Sequence, residues 1–313
     1  MLPCSYLGPS YETYSGAVRG ISRGLVYMAL SALFFSLMSL FVKLAGRHLP
    51  AMEIVFIRSV LTLIFSYLIV RQQGLNPWGN NRKLLFWRGF AGFVALSCFY
   101  VAITRLPLAD AVVIQYTNPV FTAVLAAYFL REGLHAREVG AMGLSLLGVL
   151  LIARPAFLFG GLTTPLDPAG VLAAFTGAVL SATAYVLVRK LRETDHPDVI
   201  IFYLPLVSTP GSLPLALMDF VWPRGMEWLL LLAVGVCTQL GQIFLTRGLR
   251  LEPAGRATSV TYLQMVFAYL WGILFLGEYP DVWSIAGTAC IVIGILLVAM
   301  RREHRRVRTP LRG

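Results

Sequence analysis

Two stretches decide the fold: residues 104–134, TRLPLADAVVIQYTNPVFTAVLAAYFLREGL, and residues 249–280, LRLEPAGRATSVTYLQMVFAYLWGILFLGEYP. Sliding the chain on itself by 146 positions lays 107–153 over 253–299 without a gap, with 12 of 47 residues identical. Apolar helices match one another easily by composition. The aligned punctuation carries more weight: Pro107 with Pro253, Tyr116 with Tyr262, Phe129-Leu130 with Phe275-Leu276, Glu132 with Glu278 and Gly148 with Gly294. The chain is therefore read as an internal duplication.

Working outward, each of these stretches is one member of a series of apolar runs. The chain is 58% hydrophobic and 13% charged, against about 45–50% and about 25% in soluble domains. A soluble globular fold is excluded. A hydrocarbon layer of ~30 Å needs about 20 residues per helix. Runs of that kind fall at 24–44, 51–70, 84–103, 108–130, 136–153, 169–188, 199–218, 228–249, 254–276 and 282–300. The expected fold is all-α, ten transmembrane helices forming two five-helix repeats, 24–155 and 168–300, with a disordered tail at 1–23 and a basic tail at 301–313. The first run is too long for a cleaved signal sequence and runs into Lys43.

Five crossings per half is an odd number, so the second half enters from the opposite side and the repeats are inverted. Inverted repeats recur in secondary transporters, where two similar packings open alternately to the two faces. The net charge of +11 would suggest nucleic acid in a soluble protein. Here 20 of the 26 Lys and Arg fall in the two tails and the even-numbered loops and 5 in the opposite loops, with Arg58 inside a helix. By the positive-inside rule both termini are cytoplasmic. No nucleic-acid partner is expected.

The start Pro107-Leu108-Ala109-Asp110, the Asn118-Pro119 in mid-helix and the closing Glu132, with their weaker echo in the second half, resemble the drug/metabolite transporter superfamily and its paired EamA domains. The resemblance spans about residues 20–300. It implies ten helices in two inverted halves, a central cavity surrounded by helices one, three, four, six, eight and nine, and carriage of a small organic solute such as an amino acid or related metabolite. Export across the plasma (inner) membrane is the expected direction. Met265 replaces Pro119 in the second half, so the halves are not expected to flex equivalently.

Polar stripes nominate the cavity wall. Helix one carries Ala32, Ser36, Ser39 and Lys43 on one face at 100° per residue. Ser97, Tyr100 and Thr104; Gln115, Asn118 and Thr122; and Gln239, Gln242 and Thr246 each repeat at i, i+3, i+7. Helix six adds Thr183 and Tyr185, and helix nine Thr261, Tyr262 and Gln264. Singly, Ser and Thr are as well explained by bonds to their own helix carbonyls, and Gln and Asn by helix gluing. Tyr116, Tyr185 and Tyr262 suit stacking on a planar solute or plain core packing.

Arg58 and Arg88 are the charges placed in or near the hydrocarbon, where an ionisable group is a functional candidate by default. Arg58 is expected to find a partner on another helix, such as a carbonyl at the Pro119 kink, or the solute. Arg88 is expected either to snorkel to the interface or to bind an anion. Pro119 crowds the carbonyl of Gln115 and should kink helix four. Pro205, Pro210, Gly211 and Pro214 interrupt helix seven as a hinge or as tolerated kinks. Asp110, Glu132 and Glu278 fit caps and gate pairings.

Rival classes lack their machinery. His48, His135, His196 and His304 fall in loops or a tail, without His-Glu-x-x-His. The Gly-x-Ser-x-Gly match at 20–24 opens a membrane helix and follows no strand. The phosphate loop that ATP-driven pumping would need is absent. Cys4, Cys98, Cys237 and Cys290 are too scattered to form a metal site. An enzyme is not expected, nor a cofactor or metal; a channel or structural membrane protein is the alternative to a carrier. Glycines at 140, 143, 148, 287 and 294 suit close helix packing, within the chain or in a homodimer.

Overall fold

A computed structural model describes residues 22–106, 108–133, 135–153, 158, 167–276 and 282–299. The order is α1 (Arg23–Ala45), α2 (Ala51–Gln72), α3 (Arg82–Arg105), α4 (Leu108–Gln115), α5 (Asn118–Leu130) and α6 (Ala136–Ala153) in the first half. The second half runs α7 (Pro168–Leu191), α8 (Pro197–Ala216), α9 (Met226–Leu251), α10 (Ala254–Ser259), a 3₁₀ turn (Val260–Tyr262), α11 (Leu263–Leu276) and α12 (Val282–Ala299). Among the described residues there is no strand, and seven helical spans are long and apolar enough to cross a membrane. The protein is an all-α membrane protein.

Local sequence sets the helix ends. The side chains of Ser22, Asn81 and Asp167 accept from Leu25 N, Leu84 N and Ala169 N at 3.3, 3.2 and 3.1 Å, satisfying donors that an N-terminus leaves free. Pro168 and Pro197 occupy first-turn positions, where the missing N–H costs nothing. α5 closes on Arg131 at φ 54°, an uncommon left-handed cap for a side-chain-bearing residue.

Polarity is inverted relative to a soluble protein. Leu172, Leu274, Phe129 and Leu296 stand exposed on the outer surface, while Ser36, Glu53, Arg88, Thr122, Gln239 and Arg256 are buried between helices. Lipid is the solvent that makes this arrangement favourable. Phe220, Trp222 and Trp228 form edge contacts at one end of α8 and α9, the kind of aromatic cluster that suits a membrane–water boundary.

The principal pairings cross between the halves: α1 on α9, α3 on α7, α2 on α8 and α6 on α12, with α3 also on α8, α2 on α9, α5 on α7 and α11 on α1. These eight pairings map onto one another when the halves are exchanged. At the α6–α12 seam the backbones approach closely: a Cβ built on Gly148 would lie 2.5 Å from the Gly287 carbonyl oxygen and one on Gly287 2.6 Å from that of Gly148. Gly294 packs in the same way on Ala141. Gly140 and Gly143, also expected in such contacts, meet nothing within 4 Å; they lie on the outward side of α6. Gly140→Ala is therefore expected to leave the melting temperature of the detergent-purified protein unchanged or slightly raised, Ala being the better helix former by ~1 kcal/mol.

The proline expectations divide. Helix four stops at Gln115 and restarts at Asn118, with Pro119 in the first turn of α5. Its counterpart breaks as well, despite Met265: the backbone narrows to a 3₁₀ turn at Val260–Tyr262. The inequivalence is one of degree, because a proline ends the hydrogen-bond ladder while a 3₁₀ turn only tightens it. Of the two readings of helix seven, hinge or tolerated prolines, α8 agrees with the second. It is one continuous helix through Pro205, Pro210 and Pro214.

Candidate functional site

The two helix breaks meet at the centre. Tyr116 and Tyr262, partners in the 146-residue repeat, stack with ring centroids 6.0 Å apart. Beside them lies a cavity of about 220 Å³ walled by both halves: Phe35, Met38, Arg58, Arg88, Gly92 and Gln115 from the first, Ser181, Tyr185, Thr238, Gln242 and Gln264 from the second, among others. Six residues nominated from sequence line it, namely Arg58, Arg88, Gln115, Tyr185, Gln242 and Gln264.

Arg88 does not snorkel. It is 3% exposed, and its Nη2 donates to Gln242 Oε1 at 3.1 Å across the halves. Nε and Nη1 have no protein partner. Gln115 Nε2 donates to Ser181 Oγ at 3.1 Å, leaving Gln115 Oε1 without a partner. Arg58 meets another helix: its Nη1 lies 3.7 Å from Met38 Sδ on α1.

The other nominees sit elsewhere, for reasons the polar stripes did not resolve. Ser36, Ser39, Ser97 and Thr122 donate to carbonyls of their own helices, Leu33, Phe35, Phe93 and Asn118. Ser36 Oγ also accepts from Trp271 Nε1 at 2.9 Å. Gln239 accepts from Ser66 Oγ at 3.0 Å and fastens α9 to α2. Asn118 Oδ1 is buried without a partner but outside the lining. Tyr116 and Tyr262 pack in an apolar cluster with Val113, Val149 and Ile291. Lys43 is exposed in the last turn of α1. The side chains of Tyr100 and Asp110, and Glu278 altogether, lie outside the described residues.

Ser181 and Thr238 were missed, although each precedes a nominated residue by four positions, Tyr185 and Gln242. On α9 the nominated stripe of 239, 242 and 246 splits: the cavity takes 238 and 242, and 239 turns to α2.

A second polar assembly joins the halves at one end of the bundle. Glu132 Oε1 pairs with Arg189 Nε at 2.7 Å, and Glu132 Oε2 accepts from Ala254 N at 2.8 Å. Arg189 Nη1 donates to the carbonyls of Leu249 and Arg250 at 3.0 and 2.9 Å. Glu252 holds Arg256 at 3.0 Å and accepts from Ser22 Oγ. At the same end Gln73 donates to Asp198, Asn80 N to Asp195, and Tyr203 Oη to the Trp78 carbonyl. Of these residues sequence nominated Glu132, whose partners Arg189 and Ala254 lie 57 and 122 positions away. At the opposite end the described links are Val221 N to Glu53 and the exposed pair Arg105–Asp167.

A cavity with polar and charged groups from both halves of a membrane bundle, clasped at one end, fits one class: a multi-pass membrane transporter. The chain belongs to the EamA-like transporter family, whose profile matches residues 22–154 and again 168–300, and so to the drug/metabolite transporter superfamily. It is 34% identical to the pseudopaline exporter CntI of Pseudomonas aeruginosa strain UCBPP-PA14, over 90% of this chain and 98% of that protein. It is 33% identical to solute carrier family 35 member G1 of Mus musculus, over 89% of this chain and 78% of that one. A crystal structure shares the fold at a TM-score of 0.77, with 18% identity, covering 88% of this chain and 95% of the other. The function is transport, not catalysis.

Proposed function

We propose that the protein is a secondary transporter that exports a small polar organic metabolite, such as an amino acid or related compound, by alternating access between two inverted five-helix repeats, 24–155 and 168–300. The observation that carries the reading is the central cavity whose polar side chains are drawn from both repeats, joined by Arg88–Gln242 and Gln115–Ser181. A solute that replaces those cross-half bonds stabilises the packing that surrounds it, so binding couples to rocking of the halves. Helix pairings that exchange with the halves support two packings of similar energy. The charge bias of 20 to 5 supports cytoplasmic termini, which makes the Glu132–Arg189 end the cytoplasmic gate, closed in this conformation. A bacterial exporter among the relatives supports outward movement across the plasma membrane.

Reconstitution in proteoliposomes tests this. Flux of amino acids and small organic acids is expected to saturate and to show counterflow. Gln115→Leu combined with Gln242→Leu is expected to lower it at least tenfold, two bonds of ~1 kcal/mol each being lost and their partners stranded. Flux unchanged by both substitutions would overturn the cavity assignment, and unsaturable current would mark a channel.

A further inference from the structure

We propose that the central chamber selects organic anions and that Arg88 is the anchor for the solute's carboxylate or phosphate head. The inference rests on the transport reading above and names its substrate class. Arg88 lies within α3, walled in by α7, α8 and α9, and is 3% exposed. An ionised group at such a site needs a counter-charge or a full set of acceptors. Among the described residues its acceptor is the neutral amide oxygen of Gln242, at 3.1 Å. Nε carries one N–H and Nη1 two, and none of the three has a protein acceptor. No Asp or Glu is among the described residues that line the chamber. Electrostatic balance is reached when an anion occupies the chamber.

The shape agrees with a small oxyanion. Planar guanidinium forks bind carboxylate and phosphate oxygens through paired charge-assisted bonds. Gly92, one turn along from Arg88 on α3, keeps the space beside Nη1 clear: a Cβ there would lie 3.5 Å from Nη1 and 2.8 Å from Leu204 Cδ1. Gln115 Oε1, also without a partner, offers an acceptor in the same chamber for a hydroxyl or ammonium on the solute. The volume, about 220 Å³, falls below the ~300–1,000 Å³ of drug-sized pockets, a size that suits a small organic acid. A buried arginine that completes its bonding with the cargo also explains why this charge is tolerated one turn inside a membrane helix.

The test uses the full chain in detergent and in proteoliposomes, with succinate, glycerol 3-phosphate, inorganic phosphate, succinamide and putrescine as probes. Succinate or glycerol 3-phosphate, whichever head the chamber takes, is expected to raise the melting temperature and to show saturable flux. Succinamide and putrescine are expected to do neither. Arg88→Gln is expected to abolish the anion-dependent shift and lower anion flux at least 30-fold. Arg88→Lys is expected to recover part of it, and Gly92→Val to raise the half-saturating concentration at least tenfold with Arg88 intact. The unliganded melting temperature of each variant reports folding, and Arg105→Gln, at an exposed position, serves as the charge-loss control. Equal stabilisation by succinamide, an anion shift that survives Arg88→Gln, or a response to inorganic phosphate alone would overturn the proposal. Saturable flux of the neutral or cationic probes with no anion response would overturn it while leaving the transport reading intact. Absence of saturable flux for every organic probe, together with an ion current, would overturn the transport reading.

Discussion

Replacing Glu132 by Gln is expected to open the clasped end of the bundle about tenfold to a hundredfold more often. The carboxylate joins three elements, taking Arg189 Nε with one oxygen and Ala254 N with the other. Glutamine retains one acceptor oxygen but removes the negative charge, leaving the guanidinium, 8% exposed, beside backbone carbonyls alone. Breaking a buried pair costs ~3–5 kcal/mol and exposed pairs contribute less than ~1. Glu132 is 18% exposed, so a loss of about 2 kcal/mol from the closed packing is expected. Each 1.4 kcal/mol is a factor of ten in population. The measurement is labelling of Ser181→Cys by a membrane-impermeant maleimide from the clasp side, in a background with Cys4, Cys98, Cys237 and Cys290 replaced. Glu132→Gln and Arg189→Gln should each raise labelling, and the double variant should add little, because the two act as one unit. The charge swap Glu132→Arg with Arg189→Glu should not restore closure, since a glutamate cannot donate to the carbonyls of Leu249 and Arg250. Labelling that stays at the wild-type rate in all of these would show that the clasp does not hold the gate.

The second large effect is on folding. Gly148→Leu is expected to lower the melting temperature in detergent by several degrees or to abolish recovery of folded protein, while Gly140→Ala on the same helix has no such cost. A Cβ at Gly148 would be 2.5 Å from a backbone oxygen and 2.7 Å from Ile291 Cγ1, so α6 and α12 must separate. Overpacking costs ~1–3 kcal/mol when side chains can yield; a carbonyl cannot, and about 3 kcal/mol or more is expected. Gly287→Leu should behave alike, because its Cβ meets the Gly148 carbonyl from the other side. Thermal denaturation of the three variants checks the contrast. A Gly148→Leu protein as stable as the parent would show that the seam is not a close backbone contact.

How much of this was legible varies with the kind of residue. Apolar runs placed the helices to within a few residues, because in lipid the backbone must satisfy its own hydrogen bonds and a helix is the local way to do so. Pro119 marked the break in helix four, as the missing N–H and the ring act within one turn. The three prolines of α8 show the limit of that signal, since neighbours on both sides support the helix through them. Among polar residues the stripes fell on helices that border the chamber, but only some of their faces turn towards it. Gln239 and Gln242 are three residues apart and indistinguishable in sequence, yet one binds α2 and the other faces the chamber. Ser36, Ser39 and Thr122 read as cavity polarity and are bound to their own backbones.

What the sequence by itself determined is everything that depends on spacing along one helix: the apolar spans, the duplication at an offset of 146, the break at Pro119 and the arginines placed in an apolar setting. Tertiary structure alone decided what depends on which helices meet. It set Arg88 against Gln242, 154 residues away, and Glu132 against Arg189, 57 residues away. It also brought Tyr116 onto Tyr262, turning a sequence repeat into a physical contact at the centre. The division follows from range: backbone bonding and hydrophobic transfer act residue by residue, whereas the pairing of a buried charge depends on the packing of elements distant in the chain.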